Sequence, residues 1–479
     1  MGRLNEKCAV AAVSSDTADV HATQLVFEFL LSLQHRGQQG SGIVAEGDTP
    51  GSIRFLRDLG YVNDVFSSGE KLLDFSATRA IGHNIYSTNG KRGSHPQPVV
   101  DRPLGFAFAH NGNISDTDAL AQYLAVRNIT IAGLNDSEMM AHTIASEIRS
   151  GYTLEEALTN VTPLFTGAYA CTGLYDNCVF ALRDSRGIRP LSMGRLKSAV
   201  LFASETCALE GVGAELIEEV KPGELIIAKG SDITRIQLAK SDPKLDIFEL
   251  VYFARPDSVL CGQRVAEFRR EFGKQLAKEH SPITDNHKNV VVIPVPDTSI
   301  PAAEGYADFY GLKHRQGIIK DRYSASGRSF IVGDGAERAK MLRRKHTFLP
   351  ESVEGRDVIL VDDSIVRGST IKNLVLEAKR LGAQSVTCLI ASPPVRFPDF
   401  YGIDTPSQDE LSAVDKAVEE MRIEAGCDYL GFLSLDGMVK ATGRPKSEFN
   451  LSPFNGVYPV SIGKHAEDIR EPKSMEYIE

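Results

Sequence analysis

Short apolar runs recur through the first 240 residues of the chain. Ala9–Val13, Gly105–Ala109, Ala168–Leu174, Val179–Leu182, Val200–Ala203 and Glu224–Ile227 are each bounded by polar or turn-forming residues and predict strands. Two stretches carry helical spacing instead. Val26, Phe29, Leu30 and Leu33 fall on one face near the start, and Met139, Met140, Thr143, Ile144 and Ile148 do so later. Strands in runs with helices between them predict an α+β layered domain. The polar stretch Lys240–Lys244 then marks a boundary at 242/243, and the pattern changes. Val290–Val295, Asp357–Val361 and Val386–Ala391 read as buried strands, separated by helical patterns near Pro301–Phe309 and Ile371–Leu381. Strand–helix alternation of this kind predicts an α/β domain with a parallel sheet over residues 243–449. Leu411, Val414, Val418 and Met421 predict the apolar face of one more, mostly acidic helix, and the Pro-punctuated tail 450–479 is expected to wrap the surface.

Composition narrows the class without naming a function. With 42% hydrophobic and 24% charged residues, the 479-residue chain is that of a soluble globular protein of two or three domains. Its net charge of −10 argues against nucleic acid or an anionic membrane as main partner. No apolar run is long enough to span a bilayer, and the first residues lack a secretory apolar core. Cys8, Cys171, Cys178, Cys207, Cys261, Cys388 and Cys427 form no Cys-x-x-Cys pair and are odd in number. A disulfide framework or a zinc site is therefore not expected, and a reducing cytoplasm is.

Candidate chemistry concentrates in residues 358–370, Val-Ile-Leu-Val-Asp-Asp-Ser-Ile-Val-Arg-Gly-Ser-Thr. An apolar strand ends in adjacent carboxylates, Asp362 and Asp363. A loop with Gly368 and several hydroxyls then runs into a helix. Consecutive backbone N–H groups before a helix N-terminus suit a phosphate, and the paired carboxylates suit hydroxyls or a hydrated Mg²⁺. Together they describe a seat for a ribose 5-phosphate. Pro294–Ser299 also ends a strand, with Asp297, Thr298 and Ser299 offering backbone donors and hydroxyls. Residues 320–346 gather nine basic residues, among them Lys345, with Gly327, Gly333 and Gly335 between them. In an acidic protein this predicts a lid that closes cations over pyrophosphate and excludes water. In the N-terminal half, Cys8 precedes a small apolar strand, Leu33–Gly42 is a Gly-rich loop after a helix, Ala109–Asn113 ends a strand in an Asn-Gly turn, and Asn135–Glu138 opens a helix.

The 358–370 string resembles the phosphoribosyl-pyrophosphate signature of type I phosphoribosyltransferases. The N-terminal motifs resemble class II glutamine amidotransferases, which are N-terminal nucleophile hydrolases. Their order, together with Ala203–Ala208, Phe253–Ser258 and Phe400–Asp404, is similar along nearly the whole chain to the glutamine phosphoribosylpyrophosphate amidotransferase family.

The resemblance implies a propeptide 1–7, a glutamine domain 8–242, a phosphoribosyltransferase domain 243–449 and a tail 450–479. It implies that Cys8 is the nucleophile, with its freed α-amine as base, and that Asn111 and Gly112 form the oxyanion hole. Arg36 and Asp136 would bind glutamine. Asp297, Thr298, Ser299, Lys345, Asp362, Asp363, Ser364, Ile365, Val366, Arg367, Gly368, Ser369 and Thr370 would bind phosphoribosyl pyrophosphate. Thr298, Asp362 and Asp363 would lie at Mg²⁺. Ammonia would cross an internal channel to C1 of the sugar, giving 5-phosphoribosylamine, the first intermediate of purine synthesis. Purine nucleotides as feedback inhibitors and a homodimer or homotetramer are also implied.

Three departures from the family's pattern stand out. Gly82-His83-Asn84-Ile85-Tyr86 has Ile85 where the family's Arg grips the glutamine α-carboxylate. Ala9 replaces the usual Gly after the nucleophile. Asp246, Asp399, Asn450 and Pro453 stand where one branch of the family carries iron–sulfur cysteines, so no cluster is expected. Two alternatives stay open: a paralogue with a weak or dead glutaminase that uses free ammonia or another amine, and a phosphoribosyl-pyrophosphate-binding regulator.

Overall fold

The computed structural model describes all residues except 1–4, 7, 18–19, 50, 73–74, 86–95, 131–134, 283–287, 321–345, 406 and 479. Most of the expected propeptide, Tyr86, Lys345 and nearly all of the expected lid lie outside the described residues.

The N-terminal half is a four-layer sandwich. Its first sheet holds β1 (Cys8–Ser14), β2 (Gly40–Glu46), β3 (Ile53–Leu59) and β4 (Arg79–Ile85), with β9 (Ser192–Leu196), β10 (Ala199–Ala203) and β11 (Glu215–Glu219), in the antiparallel order β11-β9-β10-β1-β4-β2-β3. Its second holds β5 (Val99–Asp101), β6 (Phe106–Asp116), β7 (Thr166–Tyr175), β8 (Cys178–Arg183), β12 (Glu224–Lys229) and β13 (Asp232–Gln237), in the order β13-β12-β8-β7-β6-β5.

Period-two alternation decides the layers. Val10 and Ala12 face the second sheet and meet Ala107, Ala109 and Ala170. Ala9, Ala11 and Val13 face the other way, onto Val26, Phe29 and Leu30 of helix α1 (Ala22–Ser32) and Leu33 just after it. The small residues of β1 let the two sheets and α1 approach closely. Helix α2 (Asp136–Arg149) covers the second sheet, with Met139, Met140, Ile144 and Ile148 against Phe106, Phe108 and Phe180.

The C-terminal half is built on a five-stranded, fully parallel sheet. Strands β14 (Val290–Pro294), β15 (Lys313–His314), β16 (Asp357–Asp362), β17 (Ser385–Ile390) and β18 (Tyr429–Phe432) run in the order β15-β14-β16-β17-β18. Helices α3 (Val265–Glu279), α4 (Ile300–Tyr310), α5 (Ser369–Arg380) and α6 (Val418–Ala425) accompany it. Val290, Val292, Ile359 and Val361 point to one face, and Val291, Ile293, Val358 and Leu360 to the other. The sheet is therefore apolar on both sides, as a parallel sheet requires. The predicted α+β and α/β halves are both present.

Two local expectations differ. Asn111-Gly112 is not a turn: β6 continues to Asp116, paired with β7 from Ala107↔Leu174 to Asn113↔Ala168. Gly112 has φ +148°, and a Cβ there would lie 2.0 Å from the Ala168 carbonyl oxygen, so glycine lets the strand pass without breaking. Leu411 and Val414 are buried but not helical, since α6 starts at Val418. Ser412 N–H donates to the Val366 carbonyl at 2.8 Å, drawing that segment onto the loop after β16 instead.

Candidate active sites

At the carboxyl end of the parallel sheet, β14 and β16 run side by side, so their exit loops face each other. The loop after β16 carries Asp362 and Asp363, both buried. The loop after β14 brings Thr298, whose hydroxyl donates to Asp363 Oδ2. Ser364 Oγ donates to the other Asp363 oxygen at 2.7 Å, and the Asp363 N–H donates to Asp362 Oδ1 at 3.0 Å. Ser299 Oγ donates to the Val295 carbonyl at 2.5 Å, holding its own loop in shape. Lys320 pairs with Asp297 at 2.8 Å.

Ile365 and Val366 turn their side chains into the core on either face of the sheet. Gly368 caps α5 with φ +75°, placing Ser369 and Thr370 in its first turn. Arg367 pairs with Glu410 at 2.6 Å. Oxygen donors from Thr298, Asp362 and Asp363 fit the hard-ligand preference of Mg²⁺, which keeps most of its shell for water and substrate phosphates.

In the N-terminal half, Cys8 opens β1 and lies directly across from Ile85, which in turn pairs with Gly40. Asn111 and Gly112 come from β6 in the facing sheet. Ser204 ties the two together: its hydroxyl accepts from Val10 N at 2.9 Å and from Asn111 Nδ2 at 3.4 Å. His83 spans the sheets as well, donating from Nε2 to the His110 carbonyl at 3.0 Å. Burial drives its imidazole down to about 3, so it is neutral there.

Asp136 starts α2 behind a capping box in which Asn135 accepts from Glu138 N at 2.8 Å and Glu138 accepts from Asn135 N at 3.1 Å. Asp136 Oδ2 accepts from Ile114 N at 3.1 Å and sits 3.7 Å from His110 Nδ1. Gln97 joins this group, donating to Ser137 Oγ and accepting from His110 N, both at 2.9 Å.

Arg36 follows α1 in the Gly-rich loop. Its guanidinium is fully buried between Glu205 and Glu249, donating to Glu249 Oε1 at 3.2 Å and pairing with both carboxylates through its other nitrogens. Glu205 also accepts from His35 at 2.6 Å, Ser258 Oγ at 2.5 Å and Arg255 N at 2.9 Å. Arg189 meets Glu249 at 3.0 Å. Burial pushes the Glu205 carboxyl up, but Arg36 and His35 outweigh it and hold it well below the usual carboxylate range. The planar fork of Arg36 thus joins the two halves of the chain. Glu205 stands in the Ala203–Ala208 motif, but no local spacing tells that it meets Arg36. Arg79, close to Ile85 in sequence, is engaged with Glu46 at 2.9 Å.

Of the positions expected to lack a cluster, Asp246 and Asn450 pair in adjacent short strands. Burial raises the Asp246 carboxyl well above its ordinary value, and Asp399 adds to the shift. Two carboxyls, an amide and a proline supply no thiolate and do not fit an iron–sulfur cluster.

A buried cysteine at the head of a sheet in a layered sandwich, in one chain with paired carboxylates at the carboxyl end of a parallel sheet, is the arrangement of a glutamine-dependent phosphoribosyl-transferring enzyme. The comparisons carry this further. A family model described as a glutamine amidotransferase domain matches residues 85–211. The amidophosphoribosyltransferase of Synechococcus elongatus is 36% identical over 482 residues, covering 99% of this chain and 94% of its own. That of Bacillus subtilis is 38% identical over 470 residues, covering 96% and 95%. The solved glutamine phosphoribosylpyrophosphate amidotransferase from B. subtilis, complexed with ADP and GMP, superposes with a TM-score of 0.85 at 37% identity, covering 95% of this chain and 98% of that one.

The chain belongs to the amidophosphoribosyltransferase family, pentosyltransferases that carry a glutamine amidotransferase domain and act at the first step of purine synthesis. Among the described residues, no helix is long and apolar enough to cross a membrane.

Proposed function

We propose that the chain transfers ammonia, released from glutamine at Cys8, to C1 of 5-phosphoribosyl 1-pyrophosphate, giving 5-phosphoribosylamine and pyrophosphate. The observation that carries this reading is the Asp362–Asp363 pair with the Thr298 hydroxyl set against it. Asp362 and Asp363 hold the ribose hydroxyls. The backbone of Ser364–Thr370 and the α5 N-terminus seat the 5-phosphate. Asp297, Thr298, Ser299 and Lys345 meet the pyrophosphate. Mg²⁺, held by Thr298, Asp362 and Asp363, supplies charge neutralisation for the leaving group when bound.

On the glutamine side, residues 1–7 are removed and the α-amine of Cys8 takes the proton from its own thiol. Sulfur adds to the side-chain amide carbon. Asn111 Nδ2 and the Gly112 N–H receive the oxyanion, ammonia leaves, and water hydrolyses the thioester. Asp136 pairs with the substrate α-ammonium group. Arg36, already committed to Glu205 and Glu249, acts by positioning the loop after α1. The limit at 242/243 is supported by the change from layered sandwich to parallel sheet; the limit at 449/450 falls inside the short strand Phe449–Asn450, which pairs with Leu245–Asp246. A cytoplasmic homo-oligomer regulated by purine nucleotides is the corresponding setting; the B. subtilis relative was solved with ADP and GMP.

The test is pyrophosphate release with Mg²⁺, supplied with glutamine or with ammonia, alongside the intact mass of the purified chain. Turnover with both donors and loss of residues 1–7 is expected. Turnover with ammonia alone would favour the paralogue reading, and turnover with neither would favour the regulator.

A further inference from the structure

Gly402, in the C-terminal half, packs backbone to backbone on Gly112. A Cβ on Gly402 would lie 3.0 Å from Gly112 Cα and 3.2 Å from its carbonyl carbon. Gly402 has φ +119°, so glycine is required there for conformation as well as for space. On its other side the same Cβ would lie 3.6 Å from Cδ of Arg189. One residue beyond Gly112, Asn113 Nδ2 donates to the Phe400 carbonyl at 2.8 Å. Further along β6, Ser115 Oγ donates to the Ser461 carbonyl at 2.6 Å. The strand that carries both oxyanion donors is therefore held from outside its own sheet, by the phosphoribosyl half.

One carboxylate ties this turn across Gly402, and the far end of the turn also pairs with Asn5–Glu6. Asp399 Oδ1 accepts from Tyr401 N at 2.8 Å and from Ile403 N at 2.9 Å, straddling Gly402. The Asp399 N–H donates to Thr405 Oγ1 at 2.7 Å, closing the other end. Tyr401 is fully buried, and its hydroxyl donates to the Val460 carbonyl. Asp399 itself is buried, so no solvent competes for these bonds.

We propose that Asp399 is a positioning residue for glutamine hydrolysis. By fixing the turn from Asp399 to Thr405, it presses Gly402 onto Gly112 and sets the direction of the Gly112 N–H. This rests on the reading that the Gly112 N–H receives the oxyanion. An oxyanion donor must be held to within about 0.5 Å of its productive place, and the flexible φ of a mid-strand glycine does not do that alone. It follows that glutamine hydrolysis depends on the docking of the two halves, through Gly402 on Gly112, whereas the ammonia-dependent reaction does not.

The test compares Asp399→Ala, Asp399→Asn and Gly402→Ala in the full chain, reading glutamine hydrolysis and ammonia-dependent pyrophosphate release separately. Asp399→Ala frees the turn, and kcat for glutamine falls about 10-fold, part of the ~10²–10³-fold loss expected from deleting an oxyanion donor. KM for glutamine and the ammonia-dependent rate stay within roughly twofold, since neither substrate-binding group is touched. Asp399→Asn keeps an acceptor oxygen for both N–H groups and restores kcat. Gly402→Ala repeats the loss by pushing on Gly112 directly. A loss confined to KM, an equal loss with both donors, or wild-type kcat in Asp399→Ala and Gly402→Ala would overturn the inference. A wild-type chain with no glutamine turnover dependent on Cys8 would instead overturn the glutamine reading, and the inference with it.

Discussion

Glu205 offers the sharpest test of how the two halves are joined. It is fully buried and takes bonds from His35, Arg36, Ser258 and Arg255 N. Glu205→Ala removes this carboxylate and leaves Arg36 facing Glu249 alone. Breaking a buried pair by deleting one partner typically costs about 3–5 kcal/mol, because the surviving charge stays desolvated. Arg36 keeps one carboxylate, so the low end applies: about 3 kcal/mol, or on the order of 100-fold in the folding equilibrium. The chain has no Trp, so urea unfolding is best followed by far-UV circular dichroism. A double-mutant cycle with Arg36→Met isolates the pair, since a hydrophobic isostere removes the stranded charge and should recover part of the loss. A Glu205→Ala protein within about 0.5 kcal/mol of wild type would refute the claim that this carboxylate holds the halves together.

Four further outcomes are expected. Asp363→Asn should impair turnover with glutamine and with ammonia alike, by ten-fold or more on the order of one lost charged contact, read as pyrophosphate release. Cys8→Ala should abolish glutamine hydrolysis while ammonia still supports the transfer. Ile85→Arg places a guanidinium directly across from Cys8 and should lower KM for glutamine without changing that for ammonia; a new charged grip on a carboxylate is worth about 2–5 kcal/mol, on the order of 30-fold or more. Finally, the His83 imidazole ordinarily titrates near 6.5 and is driven to about 3 by burial, so between these values the unfolded chain binds the extra proton. Stability should therefore rise with pH across that window, by up to about 1.4 kcal/mol per unit, and be level in this respect above it. His83→Gln, which keeps a donor for the His110 carbonyl, should flatten the slope in urea titrations at successive pH values.

Local pattern determined a good deal. Short apolar runs marked the strands around Cys8 and Asp362 to within a residue or two, because a strand buried on both faces is apolar at successive positions. The candidate phosphate cradle could be read locally too: its hydroxyls, carboxylates and helix start lie within residues 358–370. The glutamine site was legible only through resemblance, since Cys8, Asn111 and Asp136 are far apart in the chain. What the tertiary structure alone decided are contacts between distant segments. Asn111-Gly112 reads as a turn until β7 lies beside it. Leu411 and Val414 keep helical spacing, yet the pull of Val366 on Ser412 overrides it. Arg36 has the chemistry to bind a carboxylate, and only the fold shows that Glu205 and Glu249 already fill its fork. A guanidinium or a glycine carries no record in its own neighbourhood of which remote backbone or charge will approach it. That is set by the packing of whole sheets, and so it appears only once they are assembled.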